Sequence, residues 1–359
     1  MNQIITYIRH KPIVLILAAL PLAYLAEIFH WGPVWVFVLS AVSVIPLAAY
    51  IGEGTEALAA YTNPRIGGLL NATLGNAAEL IITIVAIRAG LLELVKASIT
   101  GSILGNLLLV MGLSMVVGGV KNGRQKFDRR QASRNAILLV LAVIALIIPS
   151  IFSGYIGNPQ STRVEALSVG TAVIMMILYG LSLLYSLKFE GAPISRKSTE
   201  EFIHKPAWSI RKALVILTLA TIGVVFASEL LIGAVEPVMT GLGISEFFIG
   251  IILIPLIGNV AEHFVAVQVA ARDQMDLSVE IAVSSSLQIA LFVAPILVFI
   301  SLIFNNPLQL IFTELELIAL IAGVIITAFV SEDGESNWLE GSVLLTIYLI
   351  LALGFFLID

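Results

Sequence analysis

The sequence predicts an all-α polytopic membrane protein with eleven transmembrane helices: one extra N-terminal helix followed by two inverted five-helix repeats. Three observations lead to this prediction. The 359-residue chain is 59% hydrophobic and only 12% charged, whereas soluble domains carry about 25% charged residues. Apolar segments of membrane-spanning length fill most of the chain. The hexamer Gly75–Leu80 also recurs, with changes, as Gly258–His263, 183 positions later.

Eleven apolar segments each have roughly the 20 residues that a spanning helix needs. They cover residues 12–30, 34–58, 66–88, 91–118, 133–152, 164–188, 211–235, 246–271, 278–304, 313–330 and 339–358. Turn signals such as Thr62-Asn63-Pro64 and Asn305-Asn306-Pro307 separate neighbouring segments. The first apolar run lacks a clear small-residue cleavage site, so we interpret it as the first membrane span and not as a signal peptide.

The distribution of basic residues predicts the orientation. With a cytoplasmic N-terminus, 16 of the 19 Lys and Arg residues fall in cytoplasmic segments, as the positive-inside rule requires. The exceptions are Arg88, Lys96 and Arg163. We therefore expect an integral membrane protein with its N-terminus in the cytoplasm and its C-terminus outside.

The recurring hexamers predict a duplicated domain organisation. Residues 1–33 hold helix 1, 34–188 form the first five-helix repeat, 189–210 form a cytoplasmic linker, and 211–359 form the second repeat. Because five is odd, the second repeat starts from the opposite side of the membrane and is inverted. Inverted repeats of this kind hold transport sites near the bilayer midplane, at interrupted helices.

Both hexamers place a carboxylate in an apolar span, just after residues that weaken a helix. A charge at the bilayer centre costs about 2.5–3.5 kcal/mol on insertion scales. Gly75 precedes Glu79, whereas Pro255 and Gly258 precede Glu262, and Gly and Pro disfavour a helix by about 1 and 3 kcal/mol. Loosened carbonyl groups at such positions are hard oxygen donors. The pattern predicts one symmetric ion site that contains both carboxylates.

The following helices add neutral oxygens to this predicted site. Shifting the offset to 182 aligns Ser102 with Ser284 and Asn106 with Gln288. The predicted metal ligands are Glu79, Glu262, Gly75, Gly258, Asn76, Asn259, Ser102, Asn106, Ser284 and Gln288. The predicted proton-binding residues are Glu79, Glu262 and His263, and Glu56 and Glu229 are predicted to line the ion pathway.

This donor set suits Ca²⁺, Mg²⁺ or Mn²⁺, and the absence of Cys excludes thiolate ligands. One divalent cation or two protons would neutralise the two carboxylates, so metal and protons compete for the same oxygens. If only neutralised states cross an occluded conformation, alternating access exchanges metal for protons. We expect no cofactor and no catalytic residues, with one of these divalent cations and H⁺ as transported ions and the lipid bilayer as the surroundings. No nucleic acid partner is expected, and homo-oligomerisation is left open.

Simpler interpretations exist for several of these residues. The asparagines can be interhelical hydrogen-bond donors worth about 0.6 kcal/mol each, and the glycines can serve close helix packing. His263, which has Leu80 as its counterpart, can be an ordinary polar residue, and Glu56 and Glu229 can simply lie near water. Other functions remain as alternatives: an intramembrane metalloenzyme, which normally needs clustered His residues, and a passive cation channel.

The two Gly-Asn-x-Ala-Glu strings resemble the paired signature repeats of the calcium/proton exchanger family, within the calcium/cation antiporter superfamily. Gly67–Thr73 and Ser284–Leu291 add to this resemblance. It implies an eleven-helix fold with helices 2–6 and 7–11 related by inversion. It also implies Ca²⁺ transport driven by a proton gradient, with Glu79 and Glu262 as shared acceptors. The short N-terminus suggests a prokaryotic plasma (inner) membrane. The alternative is a Na⁺/Ca²⁺ or other Na⁺-coupled exchanger, whose motifs are less similar.

Overall fold

The computed structural model describes residues 13–62, 64–156, 161–189 and 208–358, and this part of the chain is mostly helical. In chain order the helices are α1 (Ile13–Ile16), α2 (Ala19–Ile28), α3 (Pro33–Ala59), α4 (Pro64–Leu74), α5 (Ala77–Arg88), α6 (Leu92–Asn122), α7 (Arg129–Ile156), α8 (Thr162–Phe189), α9 (Ile210–Gly233), α10 (Val235–Leu242), α11 (Glu246–Gly258), α12 (Val260–Ala270), α13 (Met275–Ile303), α14 (Glu314–Val330) and α15 (Trp338–Phe356). Most of the predicted linker 189–210 lies outside the described residues.

Helices occupy all eleven predicted apolar segments within the described ranges. Among the described residues, seven helices are long and apolar enough to cross a membrane. Counting the pair α11–α12, which is bent by 61°, as one span raises the number to eight. This is the pattern of a polytopic membrane protein. The count of eleven spans stays a prediction, because α2 and α14 have only 10 and 17 residues and a break separates α4 from α5.

Burial separates central from peripheral helices. In α6, 72% of the apolar span is buried, against 22% in α8 and 22% in α15. Aliphatic side chains such as Ile174 and Leu349 therefore remain exposed at the periphery, where lipid would replace water as their surroundings. α6 and its counterpart α13 form the centre of the bundle, and each contains a wide π-helical turn, at Gly105–Val110 and Ile289–Val293. Such turns often mark functional positions in helices.

A close backbone approach joins α6 to α11. A Cβ atom on Gly101 would lie 1.9 Å from the carbonyl oxygen of Ile251, and one on Gly250 would lie 2.8 Å from that of Leu94. Only glycine therefore fits at either contact. The approach fixes α6, which carries Ser102 and Asn106, against the helix that leads into the second motif.

Two short strands correct the expectation of a purely helical chain. β1 (Gln125–Lys126) and β2 (Glu335–Ser336) pair antiparallel and connect the loop after α6 to the loop after α14. Ion pairs from Arg124 and Lys126 to Glu335, at 3.0 and 3.5 Å, lie on this ribbon. Strands of two residues are too short to show an alternating sequence pattern.

Candidate ion-binding site

Both motifs lie where a helix is broken. α4 ends at Leu74 and α5 begins at Ala77, and α11 is separated from α12 by Asn259 alone. Asn76 and Asn259 leave the helical conformation, with φ/ψ of −91°/21° and −104°/8°. In the described chain, no backbone N–H bonds the carbonyl of Gly75, which leaves an oxygen free beside the break.

The breaks place both glutamates in the first turn of a new helix, Glu79 in α5 and Glu262 in α12. The N-terminal end of a helix carries a partial positive charge that favours an anion. Interrupted membrane helices use their half-helix ends in this way to hold ionic groups. The sequence thus builds two matching anion-stabilising positions.

Glu79 is held by side chains from two distant parts of the chain. The Ser102 hydroxyl of α6 donates a hydrogen bond to Glu79 Oε1. Asn259 Nδ2, from the other motif, donates to Ser102 Oγ at 3.1 Å. Gly258 packs against Glu79, since a Cβ there would lie 3.4 Å from the Glu79 Cβ.

Glu262 has the matching surroundings. Ser285 Oγ of α13 donates to Glu262 Oε2 at 2.6 Å and lies 3.4 Å from Asn76 Oδ1. A Cβ on Gly75 would lie 3.3 Å from Glu262 Oε1. In both halves the serine follows its glutamate by 23 positions. Each carboxylate therefore contacts a serine of its own half and lies beside the broken helix of the other half.

Two further amides break this symmetry. The first, Asn106, donates from Nδ2 to Ser285 Oγ at 3.0 Å, and the second, Gln288, accepts at Oε1 from Asn76 Nδ2 at 2.9 Å. Asn106 and Gln288 therefore both bond residues on the Glu262 side of the site. At the offset of 183, their counterparts are Ile289 and Gly105, which have no side-chain hydrogen-bonding group.

Exposure also differs between the two carboxylates. Glu79 is 1% exposed, and its Oε2 has no hydrogen-bond partner among the described residues. Glu262 is half-buried, as is Gly75, and Asn71 on α4 is exposed. The side of the site next to α4 is thus the more exposed one, whereas Glu79 is enclosed and has one carboxylate oxygen without a hydrogen-bond partner.

The structure brings most of the predicted ligands together, with one shift in position. Ser285, and not the predicted Ser284, contacts Glu262, and Ser284 makes no hydrogen bond to either glutamate within the described ranges. The run of three serines at 284–286 allows Ser102 to be aligned with Ser284 at offset 182 or with Ser285 at offset 183. In the structure, Ser285 lies on the face of α13 that contacts Glu262, as the offset of 183 requires. The equal glutamate-to-serine spacing could have revealed this from the sequence.

The other predicted residues, His263, Glu56 and Glu229, make no side-chain hydrogen bond or ion pair to this network among the described residues. His263 is half-buried, and its Nε2 has no hydrogen-bond partner in the described chain. Glu56 is exposed near the end of α3. Glu229 lies 3.6 Å from Arg88 in an exposed ion pair between α9 and α5. Their predicted roles in proton binding and the ion pathway stay predictions.

The donor set is rich in neutral oxygens. Within the described ranges, no group of three or more His, Cys, Asp or Glu residues is arranged to hold a metal ion. Two carboxylates supplemented by hydroxyl, amide and carbonyl oxygens suit a hard cation that binds in flexible geometry and leaves again. The arrangement therefore has the chemistry to bind such a cation reversibly.

Comparison with known proteins supports this interpretation. The sequence matches the sodium/calcium exchanger protein family over residues 32–188 and 212–357, which is most of the chain. The chain belongs to the sodium/calcium exchanger protein family. Among relatives in this family, it is 45% identical over 349 residues to the Ca(2+)/H(+) antiporter ChaA of Bacillus subtilis, covering 96% of this chain and 98% of that protein. It is 43% identical over 354 residues to the Ca(2+)/H(+) antiporter of Aphanothece halophytica, covering 95% of each.

Solved structures of exchangers have the same fold. The structure of native YfkE superposes with a TM-score of 0.84 at 43% identity, covering 96% of this chain and 99% of that one. The H+/Ca2+ exchanger CAX superposes with a TM-score of 0.71 at 17% identity, covering 96% and 91%. At that identity the second match shows the fold alone.

Proposed function

We propose that this exchanger-family protein is a secondary active antiporter, and not an enzyme, that exchanges Ca²⁺ for H⁺ by alternating access. The observation that carries the proposal is the pair of carboxylates at two helix breaks, each bonded to a serine and packed against the opposite break. Its relatives named as Ca(2+)/H(+) antiporters support the choice of ions.

In this mechanism the two glutamates bind Ca²⁺ or protons in turn. Ca²⁺ would be held by Glu79 and Glu262 together with the hydroxyls of Ser102 and Ser285 and the carbonyl of Gly75. When Ca²⁺ leaves, two protons restore neutrality, and the unpaired Glu79 Oε2 is one oxygen ready to accept a proton. A site that holds neither Ca²⁺ nor protons carries two negative charges and is costly to occlude from water. This cost couples the movement of Ca²⁺ to the movement of protons.

We also propose the predicted architecture of one N-terminal helix and two inverted five-helix repeats. Matching elements support it, since α5 and α12 begin at Ala77 and Val260, and α6 and α13 begin at Leu92 and Met275. Both pairs keep the offset of 183.

With the N-terminus in the cytoplasm and the C-terminus outside, α4 enters the membrane from the cytoplasm. The conformation described here then opens the site towards the cytoplasm. The proposed location is the prokaryotic plasma membrane.

The test is Ca²⁺ uptake into proteoliposomes under an imposed pH gradient, with and without Na⁺. We expect uptake that requires the pH gradient and not Na⁺, and that is abolished in Glu79→Gln and in Glu262→Gln. Glu314→Gln, an exposed residue at the start of α14, is the matched control and should transport normally. Normal transport by either site variant would refute the site assignment. Uptake that needs Na⁺ would make the protein a sodium-coupled exchanger, and uptake driven by the Ca²⁺ gradient alone, without a pH or Na⁺ gradient, would indicate a channel.

A further inference from the structure

Two amide side chains make matching contacts at opposite ends of the bundle. Asn306, which follows α13, donates from Nδ2 to the carbonyl oxygen of Ile87 at 2.9 Å. Asn122, the last residue of α6, donates from Nδ2 to the carbonyl oxygen of Ala270 at 3.2 Å. The two accepting residues are 183 positions apart in the sequence, which is also the offset between the two motifs.

Both acceptors lie in the last turn of a helix that carries a site glutamate. Ile87 is eight positions after Glu79 in α5, and Ala270 is eight positions after Glu262 in α12. Carbonyl groups in the last turn of a helix lack partners within the helix, so an amide from another segment can bind them. Eight residues of helix rise about 12 Å. Each amide therefore fixes the far end of a short helix that begins at the ion site.

The ends of α5 and α12 also share their backbone conformation. Gly90 and Asp273, again 183 positions apart, both have positive φ, at 82° and 63°. Their N–H groups donate to the same carbonyls of Ile87 and Ala270, at 3.0 and 3.1 Å. At α12, Gln125 Nε2 adds a second amide contact to Ala270 O at 3.0 Å and also donates to Asp273 Oδ1 at 2.9 Å. Two amides thus bind the end of α12, and Asn306 binds the end of α5.

The segments that carry these amides are themselves anchored. After Asn306 the chain is extended, and three of its backbone N–H groups donate to serine hydroxyls on α13, α8 and α7. These pairs are Leu308 with Ser301, Leu310 with Ser168 and Phe312 with Ser150, at 2.7, 3.1 and 2.9 Å. At the other end of the bundle, Gln125 lies in β1, which pairs with β2. An anchored segment can hold a helix end in place, which a loose loop could not do.

We propose that Asn306, and Asn122 together with Gln125, are positioning residues of the ion site, which set the locations of Glu79 and Glu262 through α5 and α12. The proposal rests on the proposed function of the two carboxylates. Each carboxylate is then held at two points, by a serine hydroxyl at the site and by an amide at the far end of its helix. Over 12 Å, a tilt of about 5° displaces the start of a helix by about 1 Å. Groups that orient metal ligands in this way tune metal affinity.

The first experiment measures amide hydrogen exchange in the purified full-length protein without Ca²⁺. Asn306→Ala should raise exchange in α5 and leave α12 unchanged, because local opening follows the loss of local contacts. The double variant Asn122→Ala with Gln125→Ala should do the reverse. Gln309→Ala and Lys121→Ala, in the same two segments, are the matched controls and should change neither helix. Because no ion is needed, this measurement decides the role of the amides independently of the proposed function.

The second experiment measures Ca²⁺ affinity by calorimetry. Asn306→Ala should weaken it about two- to tenfold, the range expected for one hydrogen bond. Ser102 bonds Glu79, whereas Ser285 bonds Glu262. The effect of Asn306→Ala should therefore be non-additive with Ser102→Ala and additive with Ser285→Ala, since only coupled positions deviate from additivity. The double variant at the α12 end should show the opposite pattern.

A general stabilising role predicts different results. Equal changes in the exchange of α5 and α12, or effects that add to those of both serine variants, would overturn the proposal. Unchanged exchange and unchanged affinity in all the amide variants would also overturn it. Asn122→Ala alone, at an exposed position, removes one of the two amides at Ala270 and should give a smaller change in α12, so the test does not depend on folding of the double variant. Wild-type protein that binds no Ca²⁺ would refute the proposed function, whereas the exchange pattern would still decide the role of the amides.

Discussion

Replacing Ser285 by alanine tests the geometry of the site most directly, because the neighbouring Ser284 provides a matched control. Ser285 Oγ donates to Glu262 at 2.6 Å and accepts from Asn106 at 3.0 Å. A hydrogen bond to a charged group contributes about 1.5–3 kcal/mol. At about 1.4 kcal/mol per tenfold change, Ser285→Ala should weaken Ca²⁺ affinity by roughly 10- to 150-fold.

Ser284→Ala should change Ca²⁺ affinity by no more than about twofold, since substitutions away from such contacts usually stay within about 0.5 kcal/mol. The assay is the Ca²⁺ concentration dependence of uptake into proteoliposomes under a fixed pH gradient, with thermal unfolding in detergent as the control for folding. A Ser285→Ala protein with wild-type affinity would contradict the proposed role of this hydroxyl. A larger loss in Ser284→Ala would favour the alignment at offset 182 instead.

Three further predictions concern packing, an amide contact and pH. Gly101→Ala should destabilise the protein by at least about 1–3 kcal/mol, because the added Cβ overlaps the Ile251 carbonyl. Gly105→Ala, whose Cβ would meet open space, should not destabilise it. A thermal unfolding midpoint for Gly101→Ala equal to that of the wild type would disprove the close approach. Gln288→Ala should weaken Ca²⁺ affinity several-fold by removing its 2.9 Å bond to Asn76; an unchanged Ca²⁺ titration would show that the amide has no part in the site. Lowering the pH should raise the Ca²⁺ concentration needed for half-maximal binding, since protons and Ca²⁺ compete for the same carboxylates; a pH-independent calorimetric titration would argue against shared oxygens.

The residues predicted for the centre of the site lie close together in the structure, and the sequence could place them because both copies of the motif remain in the chain. Glu79 and Glu262, with the asparagines before them, lie at the same offset as the helix starts that position them. Interrupted helices could also be expected from the glycines and Pro255, and the structure contains both breaks. These features are local in sequence, so a pattern of residue types is enough to find them.

Contacts between distant segments could not be found in this way. The ion pair of Arg88 with Glu229 joins residues that no periodicity relates. Glu229 was predicted to line the ion pathway, but its contact with Arg88 was not predicted. The approach of Gly101 to Ile251 depends on how two helices cross, which the sequence of either helix does not specify. The choice of Ser285 over Ser284 is a different case, because the equal spacing of 23 positions between glutamate and serine in the two halves could have predicted it.

The extra amides beside Glu262 mean that the two halves of the site are not mirror images in energy. Asn106 bonds the serine that contacts Glu262 and Gln288 bonds Asn76, whereas the residues at the matching positions, Ile289 and Gly105, have no side-chain hydrogen-bonding group. A cation held between the two carboxylates would therefore meet different contacts from the two halves, and we expect its release rates towards the two faces of the membrane to differ. Divergence between the halves of a duplicated gene can in this way make the two half-cycles of an exchanger unequal in rate, while the ion gradients alone set the net direction.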